Sequence, residues 1–180
     1  MLDTNPFPSI LFLVFCSAIF LYDCMFRRVP NSILLIAAAS QLTCFLLFGK
    51  GLNEIGCLSA FSGFAIGLAF FLPLYALRAM AAGDVKFFAV LGLLLGPGML
   101  LPVFLIASLI AVVHVILLYV SRSGIGARLQ LAMMWVMHRP MYQRMLEKRG
   151  NRVGIPYAAY MALAGAWMGM HSAGVVSGFN

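Results

Sequence analysis

Apolar runs fill most of the chain, at 8–22, 31–49, 55–77, 79–96, 98–120 and 154–172, with short polar interruptions between most of them. Crossing a bilayer takes about 20 apolar residues of helix, so the pattern predicts about six transmembrane helices and an all-α integral membrane protein. The interruptions carry helix-ending residues. "RRVPN" divides the first two runs, "GKGLNE" the second and third, and "GPG" at 96–98 stops what would otherwise continue as one helix. There is no long-period repeat and no low-complexity tract, so a single domain over 1–180, one helical bundle, is expected.

Composition agrees with this reading. Of 180 residues, 63% are hydrophobic and only 9% charged, too few polar side chains to cover a water-soluble globule. The stretch before the first run, "MLDTNPFP", has no lysine or arginine and contains Asp3, so the first span is expected to stay attached rather than be removed as a signal peptide.

The net charge is +7, and its distribution bears on topology. Arg27, Arg28, Arg78, Lys86 and the seven basic residues from Arg122 to Arg152 fall on one side of the expected spans, and Lys50 on the other. The positive-inside rule makes the richer side cytoplasmic and puts both termini outside. Anionic lipid headgroups are a sufficient partner for this charge, and nucleic acid is not expected. The long polar connection 121–152 sets Leu129, Met133, Met134, Val136 and Met137 among arginines. It reads either as an interfacial amphipathic helix broken at Pro140 that contacts substrate, or as a solvated basic loop that sets topology. Cys16, Cys24, Cys44 and Cys57 have no CxxC spacing, so neither a zinc site nor a disulfide framework is expected.

Five acids remain: Asp3, Asp23, Glu54, Asp84 and Glu147. Asp23 and Asp84 are the unusual ones. Asp23 follows the first apolar run at its cytoplasmic end, where the helix dipole is negative and disfavours a carboxylate. Asp84, in a fourth helix expected to begin near Ala79, should lie a turn or more inside it. Charge at such depth is costly and marks a site that uses it. Both aspartates approach the cytoplasmic face. Two neighbouring carboxyls in a low-dielectric site share a proton, the state needed for one to activate water while the other protonates a peptide carbonyl. The plainer alternative is a pair of ordinary ion pairs, Asp84 with Lys86 or Arg78 and Asp23 with Arg27. Lys86, two residues on, points about 200° round the helix from Asp84 and reads better as reaching headgroups or substrate.

"YDCMFRRVPN", then "AAGDVKFFAVLGLLLG", then "RVGIPYAAYMALAG" at the opening of the last span together resemble the type IV prepilin peptidases, the GxGD class of intramembrane aspartyl proteases. The first glycine of that motif is Ala81 here, a small residue that would still let the fourth helix approach the first. The resemblance implies Asp23 and Asp84 as the catalytic pair. It implies Gly83, Lys86, Arg27, Pro30 and Asn31 as residues that support the motif or contact substrate. It also implies cleavage of a short basic leader from prepilin-like precursors with an apolar helix, at the cytoplasmic face of a bacterial inner membrane, with no cofactor and no metal. No stretch matches the cysteine-bearing domain of the larger bifunctional members, so N-methylation is not expected. The small peptidase-only branch, as in tight-adherence (Flp) pilus systems, fits better.

Rival chemistries have thinner support. There is no HExxH, and "AFSG" with His114 is a near miss for a serine protease that would leave both aspartates unexplained. Ser62 and Gly63 read as packing residues, since Gly63 with Gly67, Gly92 with Gly96 and Gly165 with Gly169 form GxxxG pairs. The other class of function is a proton-coupled carrier or a structural membrane subunit of a secretion or pilus system. A carrier would favour inverted repeats and acids at mid-membrane.

Overall fold

The computed structural model describes residues 7–122 and 155–175, and all regular structure among them is helical. Six α-helices follow in order: α1 (Phe7–Phe26), α2 (Asn31–Phe48), α3 (Cys57–Ala76), α4 (Ala82–Leu95), α5 (Leu100–Arg122) and α6 (Tyr157–Val175). A single 3-10 turn, Pro97–Met99, joins α4 to α5. The basic connection expected to be amphipathic lies outside the described residues beyond its first two positions, which end α5.

Among the described residues, three helical stretches are long and apolar enough to cross a membrane: Asn31–Phe48, Cys57–Ala76 and Pro97–Val120. α1 contributes a shorter apolar run, Ile10–Phe26. α4 has 14 residues, or about 21 Å at 1.5 Å per residue, against a hydrocarbon core of ~30 Å. Burial is arranged accordingly. α4 is the central helix, with every residue from Phe87 to Gly96 buried. The outer helices turn large apolar side chains outward, among them Leu46, Leu58 and Leu109. So much exposed apolar surface suits lipid rather than water.

The fourth helix starts later than its apolar run. α3 ends on Arg78 in a left-handed conformation (φ 57). There the Ala79 N–H bonds the Leu74 carbonyl and the Arg78 N–H bonds the Tyr75 carbonyl, each at 2.9 Å, the paired bonds that close a helix C-terminus. The chain needs the next residues to reverse, Ala81 is extended, and α4 begins at Ala82. Asp84 therefore stands in the first turn of α4, not a turn or more inside it. α1 runs past its apolar stretch to Phe26, which brings Asp23 into its last turn.

Glycines set the closest helix contact. A Cβ on Gly92 would collide with the backbone of Gly63, one on Gly63 would collide with the backbone of Gly92, and one on Gly67 would come within 3.0 Å of the Phe88 carbonyl oxygen. α3 and α4 therefore pack backbone to backbone, as small-residue pairs allow. Aromatic rings fill the space beyond: Phe71 stacks on Phe88 with centroids 4.4 Å apart and meets Phe104 at 5.8 Å and Tyr157 at 6.4 Å.

At the other end of α4 the last carbonyls, which no helix can satisfy itself, are capped from outside. The fully buried Gln41 donates to the Leu93 carbonyl (3.0 Å) and accepts from the Leu52 N–H (2.8 Å). Asn53 donates to the Leu94 carbonyl (2.9 Å). A short helix can thus end inside the bundle without buried orphan carbonyls.

Candidate active site

Three helix ends meet at one end of the bundle: the C-terminus of α1 and the N-termini of α4 and α6. α1 closes at Arg27, which is left-handed (φ 51) and donates its N–H to the Asp23 carbonyl at 2.9 Å. Asp23 is 5% exposed. At a helix C-terminus its charge faces an unfavourable dipole, and α6 supplies the compensation. The N–H of Ala159, in the first turn of α6, donates to the Asp23 carboxylate at 3.0 Å. The neighbouring backbone N–H, of Ala158, faces the half-buried Asp84. Asp84 also lies in the first turn of α4, so two helix N-termini, with their free N–H groups and positive dipole ends, converge on it.

The two carboxyls lie within electrostatic range of each other. The first turn of one helix thus lies against a pair of acids that are far apart in the sequence. Neither Ala158 nor Ala159 stands out in the sequence. Their signal is "IPYAAY", a proline just before a run of helix-forming residues, which marks a helix N-terminus and so a place where carboxylates are welcome.

The other motif residues occupy the rim. Pro30 caps α2 in an extended conformation and Asn31 opens that helix. Lys86 is exposed and its Nζ donates to Asn31 Oδ1 at 3.3 Å, tying α4 to α2. Gly83 lies against Val29, where a Cβ would come within 3.3 Å of the valine side chain. Ala81 does not play the part expected of it. It is exposed at the N-cap of α4, and α4 meets α1 through the rings of Phe15 and Phe87, 5.9 Å apart, rather than by close backbone approach. The helix packed along α1 is α6, where a Cβ on Gly169 would meet the ring of Phe12. His114 packs its ring on Tyr160 at 5.8 Å. Among the described residues no three His, Cys, Asp or Glu side chains form a metal-ligating group.

Comparison with characterised proteins and with solved structures gives no significant match. The model of the type IV leader peptidase family matches residues 10–116, from α1 into α5, a span that includes Asp23 and Asp84. That match covers more than half of the chain, which therefore belongs to the type IV leader peptidase family and is a leader-peptidase-like protease with the apolar helices of a membrane protein.

Proposed function

We propose that the protein is an aspartic endopeptidase in which Asp23 and Asp84 are the catalytic pair. In this reading it removes a short basic leader from prepilin-like precursors at the cytoplasmic face of a bacterial inner membrane. The observation that carries the proposal is that two carboxyls come together at the first turn of α6, where the Ala159 N–H is bonded to Asp23 and the Ala158 N–H faces Asp84. Two ordinary ion pairs would have no need of a shared clamp, and Lys86 turns to Asn31.

The chemistry follows from the pairing. Adjacent carboxyls in a poorly solvated site share one proton. The ionised member takes a proton from water as the oxygen attacks the scissile carbonyl, and the protonated member gives its proton to the carbonyl oxygen. Collapse of the tetrahedral intermediate returns a proton to the leaving amine. The backbone donors keep both groups in place, so little reorganisation is needed during the reaction. No cofactor takes part.

All six described helices are taken as crossing the membrane, with both termini outside and the short α4 shielded by its neighbours. The basic leader of the precursor lies near the basic cytoplasmic segments while its apolar helix stays in the bilayer. To test this, purified protein in detergent is incubated with a peptide bearing a basic leader before an apolar segment, with excess chelator present. Cleavage at one site after the leader is expected. Loss of cleavage on chelation would overturn the aspartic mechanism.

A further inference from the structure

Two buried side-chain polar atoms among the described residues have no hydrogen-bond partner: Nε of Arg27 and the hydroxyl of Tyr160. Elsewhere in the bundle such groups are matched. Gln41 bridges Leu93 and Leu52, and the hydroxyls of Tyr157 and Ser108 meet at 3.0 Å. Native proteins rarely leave buried donors unsatisfied, because each costs its desolvation without return.

Both exceptions adjoin the aspartate pair. Arg27 closes α1 and its own N–H is bonded to the Asp23 carbonyl. Its left-handed backbone ends α1 there, as that of Arg78 ends α3. Tyr160 directly follows Ala159, whose N–H holds the Asp23 carboxylate. It is 7% exposed, and its hydroxyl lies within electrostatic range of Arg27 and Asp23.

Their chemistry restricts what they can meet. Arginine Nε–H only donates and so needs an acceptor, and a tyrosine hydroxyl, which can donate or accept, can donate to the same kind of group. A peptide that is to be hydrolysed has to unwind where it is cut, and in a membrane setting the carbonyls it frees need donors. The Ala159 N–H is engaged by Asp23 and the Ala158 N–H faces Asp84, so both are directed at the acids.

The geometry points to Tyr160 and Arg27 as substrate-binding residues, whose hydroxyl and Nε–H donate to main-chain carbonyl oxygens of the unwound precursor beside the scissile bond. This assignment rests on the peptidase reading above. It adds a residue of α6 to the site, outside the stretch that matches the family.

The test uses the full chain in detergent and a synthetic peptide with a basic leader followed by an apolar segment. Binding is measured in an Asp84→Asn background, alone and combined with Tyr160→Phe or Arg27→Lys. KM and kcat are measured with the aspartates intact. Tyr160→Phe keeps the ring and its packing on His114, and Arg27→Lys keeps the charge but removes Nε–H. Each should weaken binding and raise KM about tenfold, the order expected for one lost hydrogen bond, with kcat changed less. The thermal midpoint of Tyr160→Phe should be equal or higher, since an unsatisfied hydroxyl has gone. Unchanged binding in either variant overturns the assignment, as does weaker binding with a lowered midpoint in Tyr160→Phe. Cleavage that survives Asp84→Asn would instead refute the catalytic pair, and the binding comparison would still decide the role of Tyr160.

Discussion

Asp23 and Ala159 stand 136 positions apart and are joined by one hydrogen bond of 3.0 Å, from the Ala159 N–H to the Asp23 carboxylate. The bond explains how an acid can occupy the last turn of α1. A carboxylate there opposes the dipole of its own helix, and the N-terminus of α6 reverses the local field.

That bond can be removed with little effect on the helix. Proline is tolerated in the first turn, where N–H groups have no helical partner. Ala159→Pro should therefore leave helix content by circular dichroism close to that of the parent. Losing a hydrogen bond to a charged group costs about 1.5–3 kcal/mol, so precursor processing should fall roughly ten- to a hundredfold. Full processing by this variant would show that the clamp is not needed.

Asp23→Asn and Asp84→Asn should each abolish processing while membrane abundance stays near that of the parent, because asparagine can still accept from the α6 N–H groups. If the acids only served stability, activity would instead track protein level. Quantifying precursor cleavage and abundance in the same membranes separates the two, and normal processing by either variant would end the dyad proposal.

Gly92→Ala should destabilise the bundle by ~1–3 kcal/mol or more, because the new Cβ would meet the backbone of Gly63, which cannot yield as a side chain would. Gly98→Ala is the internal control, with nothing within 4 Å of its Cβ, and should be near neutral. Thermal unfolding in one detergent compares the two, and equal midpoints would refute the close packing of α3 on α4.

Gln41→Leu keeps the bulk but strands the Leu93 carbonyl and the Leu52 N–H inside the bundle. Each buried unsatisfied group costs about 1–3 kcal/mol, so a clear fall in thermal midpoint is expected. A midpoint equal to the parent's would show that other groups take over both bonds.

Single-cysteine labelling checks the topology in a background from which the native cysteines have been removed. Positions 125 and 150 should label from the cytoplasm, and position 54 and the C-terminus from the opposite side. Glu54 suits the outer site because it is exposed, whereas the neighbouring Leu52 is buried. Labelling of position 125 or 150 from outside would overturn the proposed face of catalysis.

Much of the fold is legible along the chain because lipid imposes a simple rule. Backbone polar groups must be satisfied within the segment, so long apolar runs become helices, and glycines and prolines mark where they stop. The limits of α2 and the start of α3 follow from "RRVPN" and "GKGLNE". The start of α4 does not, because Met80 and Ala81 belong to the same apolar run and nothing local shows that Arg78 will close α3 in a left-handed turn. The glycine pairs were readable as contact surfaces. Which glycines would face each other was not, since GxxxG marks a smooth face without naming its partner.

Asp23 and Asp84 were also readable, because an acid in apolar sequence is costly enough to need a reason. Their partners were not, because those are backbone N–H groups, which every residue except proline carries and which become distinctive only at the start of a helix placed against the acids. Local hydropathy and charge thus suffice for the helical segments, a lipid-facing composition and two acids in need of an explanation. Packing in three dimensions adds that α6 lies beside α1, that its first turn meets both carboxyls, and that Tyr160 and Arg27 are left with unused donors beside them. Such contacts depend on where helix ends meet in space, and pairing between residues 136 positions apart leaves no periodic trace along the chain.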